Sequence, residues 1–218
     1  MYIYKTNTIT YCFLDAEFVK SKNQSIAWFV SNCDTPSQRM EYVRALQKHI
    51  KVDIYGECGN LKCPRSQENN CWTKVDQLYH FYLAFENSIC KDYVTEKFFN
   101  ALGHNVVPIV LGGANYSGIA PQKSYIDAWN DYKDPADLAR FLKDLIDEPS
   151  LYAQYFWWKK HYKIMYTDSH SIARYQCEVC EKLNQKKDRA KNNNVSYEDL
   201  YEWWDHQSRC KKVRIRSH

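Results

Sequence analysis

The sequence has 218 residues, which is enough for one α/β domain with a substantial core and short for two. Its formal charge is +4, from 30 Lys and Arg against 26 Asp and Glu, and so small an excess excludes the strongly basic class of nucleic-acid-binding proteins. The sequence has no run of 18 apolar residues, so no segment is predicted to cross a bilayer.

The pattern of apolar residues predicts alternating β-strands and α-helices from residue 25 to residue 165. After a strand at 25–30, Thr35, Pro36 and Gln38 fit the N-cap, the first helical position and the capping-box partner of a helix. The next predicted elements are strands at 51–56, 78–86, 106–113 and 124–129, a helix at 95–103, a helix starting at Asp134 and Pro135, and another starting at Pro149. This order predicts a parallel α/β sheet of the doubly wound, Rossmann-like type.

Cysteine is abundant, with nine residues in the chain, and the polar segment 57–74 is predicted to be a cysteine-rich surface excursion. Two close pairs are compatible with either a zinc site or disulfide bonds: Cys58 with Cys63, and Cys177 with Cys180. Three Asn-x-Ser sequons favour an oxidising lumen, since such acceptors are used only in the secretory pathway: Asn23, Asn115 and Asn194. The N-terminus is not a signal peptide, so we expect the chain to lack part of its parent's N-terminus.

The segment "FENSICKDYVTEK", residues 85–97, places many polar side chains directly after the strand predicted at 78–86. In open parallel sheets, ligands bind at the carboxyl ends of the strands, where loops meet helix N-termini. A helix N-terminus favours an anion, and Lys97 adds a positive charge beside it. Arg39, one turn into the helix after the first strand, is expected to reach the same crevice. The pattern therefore predicts a phosphate site; the alternative is that Arg39, Glu96 and Lys97 are solvated helical residues.

Three segments match, in order, the α1,3-fucosyltransferase family: "FYLAFENSICKDYVTEKFFNAL", "VVPIVLGGANY" and "SYIDAWNDYKDPADLARFLKDL". The sequence resembles this family over roughly residues 25–183. The resemblance implies an inverting enzyme with two Rossmann-like domains, the GT-B arrangement, of which this chain holds the C-terminal, donor-binding half. Residues 1–24 are then a remnant or linker from a truncated N-terminal domain, and residues 184–218 are a polar, aromatic tail.

The resemblance also implies donor-binding roles for five residues. Arg39 and Lys97 would hold the diphosphate of GDP-fucose and offset the charge that grows on it as the glycosidic bond breaks. Glu96 would accept hydrogen bonds from sugar hydroxyls, those of the ribose in particular. Asn87 and Tyr93 would position the nucleotide sugar, and the alternative for Tyr93 is a ring packed under the loop.

The catalytic general base is not among the matched residues. Inversion requires a base that takes the proton of the acceptor hydroxyl, and in the family this carboxylate lies in the first domain, upstream of the match. Glu86 is a carboxylate in the predicted crevice, and we assign it a structural or donor-side role.

The resemblance implies that Cys177 and Cys180 pair with first-domain cysteines, for which Cys12 is the one candidate in this chain. Pairing among Cys58, Cys63 and Cys71 stays open.

Together, the residues and the resemblance predict the donor half of an α1,3-fucosyltransferase of the Golgi lumen, anchored in the cisternal membrane by a segment outside this chain. GDP-fucose is the expected donor, a GlcNAc-bearing N-glycan of a glycoprotein the expected acceptor, and Mn²⁺ or Mg²⁺ an expected stimulant without an identified ligand set. The segment "ECGNLKCPR" looks like that of members acting on the N-glycan core. The alternatives are a non-catalytic nucleotide- or sugar-binding module and a cytosolic zinc-binding protein.

Overall fold

The structure is a computed structural model that describes residues 2–5, 16–132, 134–165, 169–184 and 199–211. The strands, in chain order, are β1 (Tyr2–Lys5), β2 (Gln24–Phe29), β3 (Val52–Tyr55), β4 (Tyr79–Phe85), β5 (Val107–Leu111), β6 (Ile126–Asp127) and β7 (Tyr162–Met165). The α-helices are α1 (Ala16–Ser21), α2 (Arg39–Leu46), α3 (Glu68–Leu78), α4 (Glu96–Gly103), α5 (Pro135–Asp147), α6 (Pro149–Ala153), α7 (Ser169–Asn184) and α8 (Leu200–Gln207).

Five strands form a parallel sheet in the order β3-β2-β4-β5-β6. The predicted parallel α/β fold is thereby confirmed, whereas the two-domain arrangement of the parent stays a prediction. The strand that comes first in this sheet, β2, pairs with β3 on one side and with β4 on the other. The strand order reverses direction there, and the crevice outside the carboxyl ends of β2 and β4 is the topological switch point at which such sheets bind ligands. β1 and β7 pair antiparallel in a separate two-stranded sheet.

The central strand β4 is buried at all seven positions because helices cover both faces of the sheet. On one face, Phe81, Leu83 and Phe85 join a core that includes α2 and α5. On the other face, Tyr82 and Ala84 pack with residues of α3 and α4. A continuous apolar run such as "LYHFYLAF" is the sequence pattern of a strand buried on both sides, and it was predicted as such.

The predicted capping box at the start of α2 is wrong. The helix begins at Arg39, and Gln38 before it has a left-handed conformation with φ of 51°. Residues 35–38 form a turn in which the Gln38 N–H donates to the Thr35 carbonyl at 2.9 Å. The preceding N–H, of Ser37, donates to the Asn87 carbonyl at 3.0 Å, so a tertiary hydrogen bond holds this segment in a conformation that is not helical.

Helix α3 lies in the segment that was predicted to be a polar surface excursion. Its buried side chains are Cys71, Trp72 and Val75, and the other positions of Glu68–Leu78 are polar or exposed. Only one narrow stripe of the helix therefore meets the core. A disulfide between Cys63 and Cys71 ties the first turns of this helix to the preceding loop.

Three disulfides join described residues: Cys33–Cys58, Cys63–Cys71 and Cys90–Cys210. Cys58 and Cys63 are thus disulfide-bonded, each to a partner other than its near neighbour. Cys177 and Cys180, on α7, carry free, exposed thiols. Their pairing with cysteines of another domain stays a prediction, and Cys12 lies outside the described residues.

The segment before residue 25 contributes to the same fold, because Val19 of α1 is buried in the core and β1 pairs with β7. The proposed division into 1–24, 25–183 and 184–218 stays a prediction. Two sequon asparagines, Asn23 and Asn115, are exposed, and Asn194 lies outside the described residues. Within the described ranges, no helix combines the length and apolarity that a bilayer span requires.

Candidate functional site

Two loops meet at the switch point, and one serine joins them. The first loop, residues 30–38, follows β2, and the second loop, residues 86–95, follows β4. The Ser37 N–H donates to the Asn87 carbonyl at 3.0 Å, and its Oγ donates to the Glu86 carbonyl at 2.8 Å. Ser37 is fully buried, so water does not compete for these bonds and they fix the two loops side by side.

The side chain of Arg39 is buried and directed at the carboxyl end of β4. Its Nη1 donates to the Phe85 carbonyl at 2.8 Å, and its Nη2 donates to the Asn32 carbonyl at 3.0 Å. The guanidinium lies 5.5 Å from the ring centroid of Trp28, and the buried Nε has no partner among the described residues. Burial lowers the pKa of Arg39 and the charge of Glu86 opposes this shift. Arginine stays protonated in proteins, so a full positive charge sits at the switch point, and its Nε–H is unused among the described residues.

Glu86, at the start of the second loop, has a completely buried side chain that holds the beginning of α4. Its carboxylate accepts from the Thr95 N–H at 2.8 Å and from the Thr95 Oγ1 at 2.9 Å. The ammonium of Lys97 lies 3.3 Å from the same carboxylate and donates to Thr95 Oγ1 at 2.8 Å. Glu86 therefore serves as a cap from outside the helix and as the counter-charge of Lys97.

Glu96 forms the exposed rim of this cluster. Its Oε1 lies 3.3 Å from the Lys97 Nζ, and its side chain is 59% exposed against 20% for Lys97. Burial raises the pKa of Glu96, but the charge of Lys97 and the hydrogen bonds lower it by a larger amount, so the net shift of the pKa is downward. The two basic side chains, Arg39 and Lys97, thus flank a single buried carboxylate, and the second carboxylate can swing into solvent.

Asn87 and Tyr93 complete the set of residues predicted from the sequence, and both are half-buried in the second loop. The Asn87 Oδ1 is buried without a partner in the described residues. The Tyr93 N–H donates to the Cys90 carbonyl at 3.4 Å, which closes a tight turn. The structure therefore brings Arg39 from the start of α2, Asn87 from the second loop and Lys97 from the start of α4 to one edge of the sheet.

Sequence reasoning missed three residues that build this site, namely Ser37, Thr95 and Tyr116. Ser37 and Thr95 are short polar residues in the loops after β2 and β4, and their position after a strand was the available signal. The Tyr116 hydroxyl is buried and has no hydrogen-bond partner in the part of the chain that the structure describes, and it approaches the backbone so closely that a Cβ at Gly112 would lie 2.3 Å from it. Nothing in the sequence indicated that contact.

A cavity of about 180 Å³ lies at the carboxyl ends of β2 and β3, on the same edge of the sheet. Phe29 and Tyr55 supply aromatic walls, and the exposed Glu68 supplies a carboxylate.

Among the residues that the structure describes, no group of three or more His, Cys, Asp or Glu side chains could hold a metal ion. Six of the described cysteines are in disulfides, which speaks against the zinc-binding alternative.

Two buried or half-buried cations and the N-terminus of α4 thus lie at the switch point, the place at which parallel α/β sheets bind their ligands. The family can be named from comparison with known sequences. The profile described as glycosyltransferase family 10 (fucosyltransferase), C-terminal region, matches residues 19–204. The chain belongs to this family.

Named relatives agree with the family match. Alpha-(1,3)-fucosyltransferase C of Drosophila melanogaster is 43% identical over 195 residues, which are 89% of this chain and 43% of that protein. Glycoprotein 3-alpha-L-fucosyltransferase A of the same organism is 44% identical over 193 residues, 87% of this chain and 37% of that protein. The chain thus spans less than half the length of these relatives.

The fold is also found in a solved structure. The crystal structure of an α1,3-fucosyltransferase with GDP-fucose superposes with a TM-score of 0.54, over 63% of this chain and 39% of that one. The sequences are 23% identical, so this comparison shows a shared fold and no more.

Proposed function

We propose that this chain carries the donor site of an α1,3-fucosyltransferase, and that the complete enzyme moves L-fucose from GDP-fucose to the 3-hydroxyl of GlcNAc with inversion. The observation that carries the proposal is that Arg39 and Lys97 converge on the carboxyl end of β4. Arg39 donates to the Phe85 carbonyl, and Lys97 pairs with the Glu86 carboxylate. Family membership and the names of the relatives support it. The fold neighbour, an α1,3-fucosyltransferase crystallised with GDP-fucose, supports the choice of donor.

In this proposal, the two cations act on the leaving group. The diphosphate gains negative charge as the glycosidic bond breaks, and charges already in place stabilise that change more than water does. Lys97 shares its ammonium among Thr95, Glu86 and Glu96. Because Glu96 is exposed, its carboxylate can turn to the ribose hydroxyls and release an ammonium donor to a phosphate oxygen. Asn87 and Tyr93 position the nucleotide sugar beside them.

Glu86 is unsuited to act as the general base, which supports the expectation that the base lies upstream. Its carboxylate is completely buried and already accepts hydrogen bonds from Thr95 and Lys97. A base must reach the acceptor hydroxyl, directly or through one water. We therefore propose that Glu86 supports the donor site and that this chain alone binds donor without transferring fucose.

The wider setting is part of the same proposal. We propose a glycoprotein N-glycan as acceptor, its core GlcNAc in particular, and the Golgi lumen as location, with membrane attachment through a segment outside this chain. Three disulfides and the exposed sequons at Asn23 and Asn115 are compatible with an oxidising lumen. The core preference rests on the "ECGNLKCPR" segment, in which Cys58 and Cys63 are both disulfide-bonded.

The test is calorimetric titration of GDP into the chain, with and without Mn²⁺ or Mg²⁺. We expect binding by the wild type and loss of binding in Arg39→Met, which removes the charge at the switch point. Arg44→Met is the matched control, because Arg44 is exposed on the same helix and pairs with Glu41 at 3.5 Å. Unfolding temperatures of both variants are measured, since Arg39 also holds two backbone carbonyls. Wild-type affinity in a folded Arg39→Met variant would reject the site.

A non-catalytic binding module is the second candidate, and the buried, hydrogen-bonded state of the Glu86 carboxylate is the observation compatible with it. Both candidates predict GDP binding. They differ when the chain is joined to the upstream segment of its transcript and assayed with GDP-fucose and a GlcNAc-terminated glycopeptide. Fucose transfer by the joined protein identifies the enzyme, and binding without transfer identifies the module.

A further inference from the structure

The second loop presents Tyr93 from a tight turn that begins at Cys90. The Tyr93 N–H donates to the Cys90 carbonyl, and Asp92 inside the turn has a left-handed conformation with φ of 59°. The residues that lead into the turn are anchored, since Ile89 is 1% exposed and Cys90 is 6% exposed. The direction of Tyr93 is therefore set by where the backbone of Cys90 is held.

Gly113, just beyond β5, supports the backbone of Cys90 from within the sheet domain. A Cβ at this glycine would lie 2.6 Å from the Cys90 carbonyl oxygen and 2.8 Å from the Cys90 nitrogen. Real Cβ atoms do not approach backbone so closely, so a glycine is required for the contact. The turn thus rests directly on the end of the central sheet.

A short segment near the other end of the described chain provides the second support. We call residues 208–211 the strap. The disulfide Cys90–Cys210 joins it to the turn across 120 residues of sequence. Two main-chain hydrogen bonds lie on either side of this disulfide: the Lys91 N–H donates to the Ser208 carbonyl at 2.6 Å, and the Lys211 N–H donates to the Ile89 carbonyl at 2.8 Å.

A side-chain contact also fixes the strap to the sheet domain. The ammonium of Lys211 lies 5.9 Å from the ring centroid of Trp129, a residue that packs against the main core just after β6. Cation–π contacts of this kind are modest on their own. The disulfide and the two hydrogen bonds give each of three consecutive residues of the second loop, Ile89 to Lys91, a bonded partner in the strap. The contact with Trp129 holds the strap itself against the sheet domain.

We propose that the strap positions the Tyr93 turn for the nucleotide sugar, with Cys210 as a positioning residue for donor binding. This inference rests on the proposed function, because it assigns the strap to the same donor site. An untied turn would sample conformations that do not bind, and apparent affinity falls in proportion to the binding-competent fraction. The strap therefore acts on donor affinity through the turn, without touching the donor itself.

The experiment compares GDP affinity in four proteins that share a Cys12→Ala/Cys177→Ala/Cys180→Ala background, which removes the three cysteines outside the described disulfides and so prevents thiol exchange. They are the background itself, Cys90→Ala/Cys210→Ala, Lys211→Pro and Lys211→Ala. Lys211→Pro removes the N–H that bonds to Ile89 and leaves the disulfide, whereas Lys211→Ala keeps that N–H and removes only the side chain with its contact to Trp129. Lys211→Ala is therefore the control for loss of the side chain. Amide hydrogen exchange of residues 88–93 and of β4 is recorded at a temperature at which the background is folded.

We expect GDP affinity about tenfold weaker without the disulfide, as for a turn that is competent about one tenth of the time. Lys211→Pro should weaken binding by a smaller factor, and Lys211→Ala, which loses only the modest cation–π contact with Trp129, should weaken it least. Exchange should rise in residues 88–93 and stay slow in β4. Unchanged GDP affinity in both Cys90→Ala/Cys210→Ala and Lys211→Pro overturns the inference. Faster amide exchange throughout β4 in both variants overturns it as well, because the strap would then support overall stability. A background protein that binds no GDP refutes the proposed function and the inference with it.

Discussion

Replacing Lys97 by methionine should weaken both GDP binding and the fold, and a second substitution should separate the two effects. The ammonium lies 3.3 Å from the completely buried Glu86 carboxylate, so Lys97→Met leaves a buried charge without its partner. Breaking a buried ion pair in this way costs about 3 kcal/mol. Loss of a charge-assisted bond to the diphosphate is expected to cost about 2 kcal/mol, or roughly a thirtyfold loss of affinity.

The double variant Lys97→Met/Glu86→Gln should recover most of the stability. The glutamine carbonyl can still accept from the Thr95 N–H, and no charge is left in the buried position. Donor affinity should stay low, because the cation is still missing. Stability is measured by urea unfolding followed by tryptophan fluorescence, and affinity by calorimetry with GDP. Lys91→Met is the control, since Lys91 is an exposed cation of the same loop that pairs with Asp92 at 3.8 Å.

Recovery of GDP affinity together with stability in the double variant would refute this reasoning, because Lys97 would then act only through the fold. Equal loss of affinity in Lys91→Met would refute it in a second way, since the effect would then reflect the general charge of the loop. The salt dependence of GDP affinity gives an independent check. Salt screens the half-buried charge of Lys97 less than the exposed charge of Lys91, so the affinity lost in Lys97→Met should persist at high salt.

Three further predictions concern the support of the site and the opposite end of the sheet. Gly113→Ala should cost about 2 kcal/mol and weaken GDP binding, because the new Cβ would lie 2.6 Å from the Cys90 carbonyl; an unchanged unfolding midpoint in urea would contradict this. Ser37→Ala should cost about 1 kcal/mol by loss of its 2.8 Å bond to the Glu86 carbonyl, with Ser31→Ala, on the exposed part of the first loop, as the control. Burial raises the pKa of Asp76, but hydrogen bonds from His104 and the Asn105 N–H lower it by a larger amount, so the net shift is downward. The carboxylate therefore stabilises the fold above pH about 4, and this stabilisation is lost as the pH falls below that value. Asp76→Asn should flatten the acid side of the plot of stability against pH, and an unchanged slope would count against this prediction.

Much of the fold could be predicted because its elements are locally encoded. The stripe of apolar residues in α5 and its Asp134 cap are an example: the Asp134 carboxylate accepts from the Ala136 N–H at 2.8 Å and the Asp137 N–H at 2.9 Å. The apolar run of β4 is another. In contrast, the start of α2 is decided by the bonds of Ser37 to a loop almost fifty residues away, and no local rule contains that information.

The candidate site shows the same division. The polar segment after β4 and a cation after β2 could be predicted, because topology brings the carboxyl ends of parallel strands together. The burial of Arg39 and the pairing of Lys97 with Glu86 could not, because both depend on packing between loops. Residues 184–218 were predicted to be a polar, aromatic tail, and no local pattern indicated that Cys210 bonds to Cys90 across 120 residues.

The disulfides are distributed unevenly over the molecule, and this has a practical consequence. Cys33 and Cys90 lie in the two loops of the site, Cys58 follows β3, and Cys63 is tied to the start of α3, so the three bonds between described residues brace the edge of the sheet that holds the candidate site. The described strands contain no cysteine and are held by hydrogen bonds between strands and by apolar packing. Protein prepared in a reducing cytoplasm can thus give a normal spectroscopic signature of folding while its binding edge is poorly formed, and binding assays are meaningful only on oxidised material.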